Sequence, residues 1–218
     1  MEIALQPGPA VYVGNHLGST GPLQIVRSIP VRFYPWVIGE MLDPHRAPDY
    51  LYADLIEKEW RLSEPAGRLA SRLIAPLAVR ALRSAGSIPV ERSRGWTADA
   101  FQTSLELLAQ AKSILIMPED SGLPMDPTTH LHPFQCGFVA LCGFYAERYD
   151  RPLPVRLLLV HPPTRRIVVQ NAGEYPGSDR RRAVIEAYCH DLYNQIREMW
   201  TTAGLVDHDQ RLSTVGFL

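Results

Sequence analysis

At 218 residues, 46% apolar and 21% charged, the chain has the length and composition of one globular domain with a substantial core. A formal net charge of −1 gives no drive toward nucleic acid, and no run of about 18 or more uncharged apolar residues offers a membrane span. The three cysteines, Cys136, Cys142 and Cys189, are odd in number and lack C-x-x-C spacing, which indicates neither a disulfide framework nor a cysteine zinc site and points to a reduced, cytoplasmic setting.

In chain order, short β-rich apolar runs alternate with longer stretches of helical period, the pattern of an α/β layer fold. Strands are expected near Ala10 to Gly14, Val31 to Gly39, Ser87 to Glu91, Ser113 to Met117, Leu153 to Val160 and Arg166 to Asn171. Helices are expected over Pro22 to Ser28, Pro48 to Arg61, Pro65 to Ser84, Thr97 to Ala111, Phe134 to Tyr149 and Asp179 to Trp200. In the last of these, Ile185, Tyr188, Leu192, Ile196 and Met199 recur at spacings of three and four and make one apolar stripe, with Ser178-Asp179 as its N-cap signal. The expected architecture is a single layered domain over residues 1–200, with a mixed, largely parallel sheet flanked by helices. Residues 201–218 form a C-terminal tail without clear period.

Charge is unevenly spread. Between Arg61 and Arg94 seven arginines stand against only Glu64 and Glu91, and a guanidinium suits bidentate contact with phosphate. On a helical wheel Arg61, Arg68, Arg72, Arg80 and Arg83 share one arc, opposite Leu73, Ile74, Leu77, Ala78 and Leu82, while Pro76 should kink or break the helix. Two readings follow: a basic amphipathic surface for lipid headgroups, or the solvated face of a helix packed on the sheet, the commoner origin of such a pattern.

Chemistry concentrates at strand ends. Ligands in open α/β sheets gather beyond the carboxyl ends of the strands, and His16, Glu91 with Arg92, and Glu119 with Asp120 each follow directly on an expected strand. An imidazole near its ordinary pKa of about 6.5 accepts a proton from an alcohol during reaction. The guanidinium of Arg92, with Arg94 as a second donor, suits a phosphate, and a carboxylate beside an arginine orients it.

These segments, in this order, resemble the phospholipid and glycerol acyltransferases typified by lysophosphatidic acid acyltransferase. Asn15-His16 is similar to the start of the family's N-H-x-x-x-x-D, and Gly86-Ser87-Ile88-Pro89-Val90-Glu91-Arg92 to its G-x-I-x-I-D-R. Met117-Pro118-Glu119-Asp120-Ser121 resembles F-P-E-G-T, and Leu153-Pro154-Val155 the proline-rich strand V-P-V. Ile38 to Leu42 and Phe134 to Gly137 resemble two further segments, K-x-E-L and F-x-x-G, so that the likeness runs over residues 11–160. The resemblance implies a glycerolphosphate acyltransferase-like fold and a reaction in which His16 takes the proton of a glycerol, glycerol phosphate or lysophospholipid hydroxyl. The hydroxyl then attacks the thioester of acyl-CoA or of an acyl carrier protein. It also implies that Asn15, Arg92, Arg94, Glu119 and Ser121 contact substrate, with no cofactor, metal or covalent acyl-enzyme. The partners expected are the acyl donor, the lipid acceptor and a membrane touched peripherally through residues 61–94 on its cytoplasmic face, and no nucleic acid.

The chain departs from the family at three places. Gly21 stands where the first motif has its aspartate, the acid that would hold the histidine tautomer and stabilise its charged form. Loss of such an acid in a serine-protease triad costs about 10⁴-fold in turnover, roughly 5 kcal/mol. Asp120 replaces a glycine and Gly122 an arginine in the third motif, and roughly ten residues precede the first motif, where many members carry a further segment. A soluble or peripheral member, or an incomplete one, is therefore expected. Ser19 or Thr20 can hydrogen-bond the His16 ring, while Asp120, an acid gained where another was lost, is the candidate second catalytic group.

The alternative is a catalytically silent lipid- or acyl-carrier-binding protein of the same fold. Glu119 to Pro124 faintly resembles the G-D-S-G-G-P of trypsin-like proteases, without the glycine after Ser121 that would form an oxyanion hole. His130-x-His132 lacks a third metal ligand at recognisable spacing.

Overall fold

The computed structural model describes residues 8–18, 20–58, 60–91, 98–205 and 213–216. It is an α/β fold whose strand pairings are mostly parallel and whose strands are flanked by helices, as the alternating pattern of the sequence indicates. The chain divides into two compact units, residues 1–33 with 104–218, and residues 34–103.

In the first unit β1 (Ala10–Gly14) lies between β4 (Ser113–Ile116) and β5 (Val155–His161), parallel to both. β6 (Arg166–Asn171) turns back antiparallel on β5, and β7 (Ser213–Gly216) pairs antiparallel with β6. The last strand corrects the sequence reading of an unpatterned tail: a four-residue edge strand is too short to register as periodicity. β1, β4 and β5 are buried almost throughout, as continuous apolar runs in a parallel sheet should be. On one face Tyr12, Leu115, Leu158, Val160, Ile167 and Val169 pack with Ile25 of α1 (Thr20–Ser28) and with Ile29 just beyond it. α6 (Arg182–Leu205) packs against β5 and β6, burying Tyr188, Leu192, Ile196 and Met199 of the expected stripe. The helix begins at Arg182, later than its cap signal suggests, and the Asp179 carboxylate accepts the N–H of Arg181 at 2.9 Å just before it.

In the second unit β2 (Phe33–Ile38) runs parallel to β3 (Ile88–Val90). The helix expected over Pro48 to Arg61 is instead a short α2 (Ala47–Leu51) followed by one π-helical turn, Tyr52–Ile56. α3 (Ala66–Ser84) continues unbroken through Pro76, against the expected break. Its buried residues are Gly67, Ser71, Ala75 and Val79, so it meets α2 along a line of small side chains, and Ala47, Leu51, Ala75 and Val79 form a common core. At Gly67 a Cβ would stand 2.6 Å from the Leu62 carbonyl oxygen and 2.7 Å from the Tyr52 ring, in the segment that follows α2. The division of the chain falls within α4 (Ala98–Ala109), while α5 (Ala140–Tyr149), entered through a 3₁₀ turn at Cys136–Val139, belongs to the first unit.

A disulfide joins Cys136, in that 3₁₀ turn, to Cys189 of α6, with their Cα atoms 5.3 Å apart. This corrects the cysteine reading: parity and C-x-x-C spacing carry no information about two residues 53 apart that the fold brings together. Cys142 remains a buried thiol, pushed up to about 12 by its burial. Closing a 53-residue loop stabilises by about 4 kcal/mol on chain-entropy grounds. Reductant should therefore lower the thermal midpoint by about 10 °C in calorimetry. A Cys189→Ser variant should start from the lowered value and show no further response to reductant.

Candidate functional site

Because β1, β4 and β5 are parallel, their carboxyl ends share one edge of the sheet, and the residues that follow them meet there. The pairing of β1 with β5 ends at Gly14 and Leu158, after which the side chain of Asn15 takes over from the main chain. Its Oδ1 accepts the N–H of Val160 at 2.8 Å, and its Nδ2 donates to the Val160 carbonyl at 3.0 Å. Asn15 is fully buried and satisfies two main-chain groups that would otherwise be orphaned. It is thus a clamp on the strand end, whereas the motif resemblance casts it as a substrate contact.

The next residue, His16, has an exposed side chain and donates its main-chain N–H to Oε1 of Glu119 at 2.8 Å. The other carboxylate oxygen, Oε2, accepts the N–H of His132 at 3.0 Å. Glu119 is buried, at 9% exposure, and one carboxylate therefore holds two histidine backbones. Burial raises its pKa above the ordinary carboxyl range, against the opposing pull of the His132 and His16 amides and of the His132 imidazole. Its main chain forms an antiparallel bridge with Phe134, flanked by Asp120 N–H to Pro133 O and Gln135 N–H to Pro118 O, both 2.8 Å.

After His16 the chain turns sharply, with Leu17 at φ 30° and Gly18 at φ 61°. A leucine in that region is held against its preference, a strain of about 1–3 kcal/mol of the kind that gathers at working sites. α1 then starts so close to the turn that a Cβ on Gly21 would lie 2.6 Å from the carbonyl oxygen of His16 and 3.2 Å from its carbon. Glycine is required there by the backbone, and no side chain fits the position of the motif aspartate without displacing the histidine.

The carboxylate of Asp120 caps its own turn, accepting the N–H of Gly122 at 3.0 Å, and Ser121 is exposed in the same turn. Glu91 is exposed at the end of β3, in the other unit, and Arg92 and Arg94 lie outside the described residues, as does Ser19. The structure thus brings together Asn15, His16 and Glu119. An open cleft of about 810 Å³ in the second unit is lined by Asp49, Tyr52, Glu64 and Arg68 among others, and contains none of the candidates.

Two histidines at this edge were not singled out as bases from sequence. The Nδ1 of His132 lies 2.8 Å from the carbonyl oxygen of Leu123, which only accepts, so Nδ1 carries a proton. His161, at the end of β5, is buried, hydrogen-bonded through Nδ1 to Thr164 Oγ1 at 2.8 Å and edge-on to Trp200; burial lowers its pKa. The signal for both was positional, a histidine at or beside the carboxyl end of a strand pairing. His130 contacts Trp200, and among the described residues no group of three or more His, Cys, Asp or Glu is placed to hold a metal ion. The α/β architecture also removes the trypsin-like reading of Ser121, which needs a double β-barrel.

Comparison of the chain with family models, with curated proteins and with solved structures finds no match.

Two outcomes follow from this geometry. Gly21→Asp, which restores the motif acid on paper, should lose about 1–3 kcal/mol in thermal or urea unfolding, because the His16 carbonyl has to move. Glu119→Gln presents an NH₂ where an N–H needs an acceptor and should cost about 1–3 kcal/mol near neutral pH. Since the folded-state pKa of Glu119 is raised, the folded form binds more protons than the unfolded one between the two values. Its contribution to stability therefore falls as pH rises from the ordinary glutamate range through the raised value. Urea titrations across mildly acidic pH should show that slope in the wild type and a flatter one in Glu119→Gln.

Proposed function

We propose that this chain is an acyltransferase that moves a fatty acyl group from a thioester, acyl-CoA or acyl carrier protein, to the hydroxyl of a glycerol, glycerol phosphate or lysophospholipid. The observation that supports it is the hydrogen bond between the His16 main chain and the Glu119 carboxylate. Two segments 103 residues apart, each resembling a family motif, meet at the carboxyl edge of parallel β1 and β4. In the reaction His16 takes the hydroxyl proton as the oxygen attacks the thioester carbonyl. The C–O bond forms, the C–S bond breaks, and the imidazolium returns the proton to the departing thiolate. Glu119, spent on main-chain amides, positions the histidine; Arg92 and Arg94 are the proposed donors to an acceptor phosphate. The proposed setting is the cytoplasmic face of a membrane, touched peripherally. No helix among the described residues is long and apolar enough to cross one.

A second reading, a silent lipid- or acyl-carrier-binding protein, is favoured by one observation: the His16 backbone excludes a side chain at position 21. Thiol release from acyl-CoA in the presence of glycerol and lysolipid acceptors separates the two. The enzyme reading expects His16→Ala to lower turnover at least 100-fold, with Asp120→Asn close to wild type because Asp120 caps a turn. Equal rates for wild type and His16→Ala would leave only the binding reading.

A further inference from the structure

α3 is built inside out. Its inward residues are the small ones, Gly67, Ser71, Ala75 and Val79, while Leu69, Leu73 and Leu77, one turn apart along the outer side, are 62%, 68% and 71% exposed. A helix that only needed to cover the core would carry its leucines inward and its polar residues outward. Three large apolar side chains in one exposed row form a contiguous patch, which marks a contact surface more often than isolated exposed leucines do. The row is not ordinary solvated surface.

The charges beside it select the partner. Over Ala66–Ser84 there are four arginines, Arg68, Arg72, Arg80 and Arg83, and no acid. Arg68 pairs with Glu64 and Asp49, and Arg83 donates to the Leu42 carbonyl at 2.8 Å. Arg72 and Arg80 are exposed, and Arg80 continues the leucine row one turn on from Pro76 and Leu77. Long arginine side chains let the aliphatic stem lie on apolar surface while the guanidinium reaches outward. An apolar row edged by cations suits the boundary between acyl chains and anionic headgroups. A second copy packed on the same face would bring arginines against a helix that has no acid to answer them.

We infer that the outer face of α3 is a membrane-docking surface, in which Leu69, Leu73 and Leu77 enter the headgroup boundary of an anionic bilayer and Arg72 and Arg80 contact lipid phosphates. This rests on α3 alone and is independent of the proposed chemistry. Sedimentation of the full chain with vesicles tests it, using phosphatidylcholine alone and mixed with phosphatidylglycerol.

The wild type should partition at least tenfold more strongly onto the mixed vesicles. A Leu69→Ser/Leu73→Ser/Leu77→Ser variant should lose at least tenfold of that binding. Arg72→Gln/Arg80→Gln should lose the preference for anionic lipid, and His16→Ala should bind as wild type does. All these residues are exposed, so circular dichroism melts should be unchanged in the variants. Wild type left in the supernatant, or a triple serine variant that sediments fully, would overturn the inference. So would a concentration-dependent dimer that the triple variant dissociates, since the occupant would then be a second copy; retention on an acidic protein without vesicle binding would likewise exclude lipid.

Discussion

The site depends on a single buried carboxylate. Glu119 has left water at an energetic cost, and what offsets that cost is two main-chain N–H groups, one from His16 and one from His132, each on its own oxygen. A charge held in this way fixes its donors as firmly as they fix it. The end of β1 is thereby tied to the loop that follows β4, and His16, with its exposed side chain, is anchored there through its backbone. Asn15 makes the complementary tie to β5, replacing two ladder bonds with its side-chain amide just where the main chain leaves the sheet.

The loop that carries Glu119 is itself braced from α6. Cys189 is bonded to Cys136, two residues beyond the Glu119–Phe134 bridge; Arg197 pairs with Asp126 at 3.0 Å; and Trp200 lies against both His130 and His161. Asp126 in turn accepts the N–H groups of Thr128 and Thr129, which with Arg197 hold its carboxyl below the usual range. Support therefore runs from the long helix through the loop to the carboxylate, and from there to the histidine. In a reducing compartment the Cys136–Cys189 link would open. Arg197 and Trp200 would remain as the bracing that does not depend on redox state.

Which of these relations can be read from sequence follows from their range. Strands such as Val11 to Gly14 and Ile114 to Ile116 declare themselves as buried apolar runs, and the α6 stripe by its spacing, because each is decided by its own few residues. The convergence of His16 and Glu119 was also legible, since parallel strands bring their carboxyl ends together whatever their separation. The role of each group was not. Asn15, Glu119 and Asp120 have the polar side chains of ligand contacts, and only their partners, Val160, two histidine amides and Gly122, reveal tasks internal to the protein. The same holds for α3, where the expected arc of arginines opposite leucines fails at Arg80, which continues the exposed leucine row, and the pattern does not say which side faces the core. The small residues on the inner side decide it, because the Leu62 carbonyl and the Tyr52 ring leave no room for a larger side chain at Gly67.

Position 21 shows what such internal tasks exclude. A motif aspartate serves a histidine in two ways, by orienting the ring and by stabilising the imidazolium. In this chain the first is met in part by main-chain anchoring to Glu119, which sets where the residue sits. The second cannot come from position 21, since the α1 backbone approaches His16 until only glycine fits. Both oxygens of Glu119 are engaged with main-chain amides, those of His16 and His132. In the proposed reaction an acceptor carrying a phosphate would bring an anion of its own to offset the imidazolium.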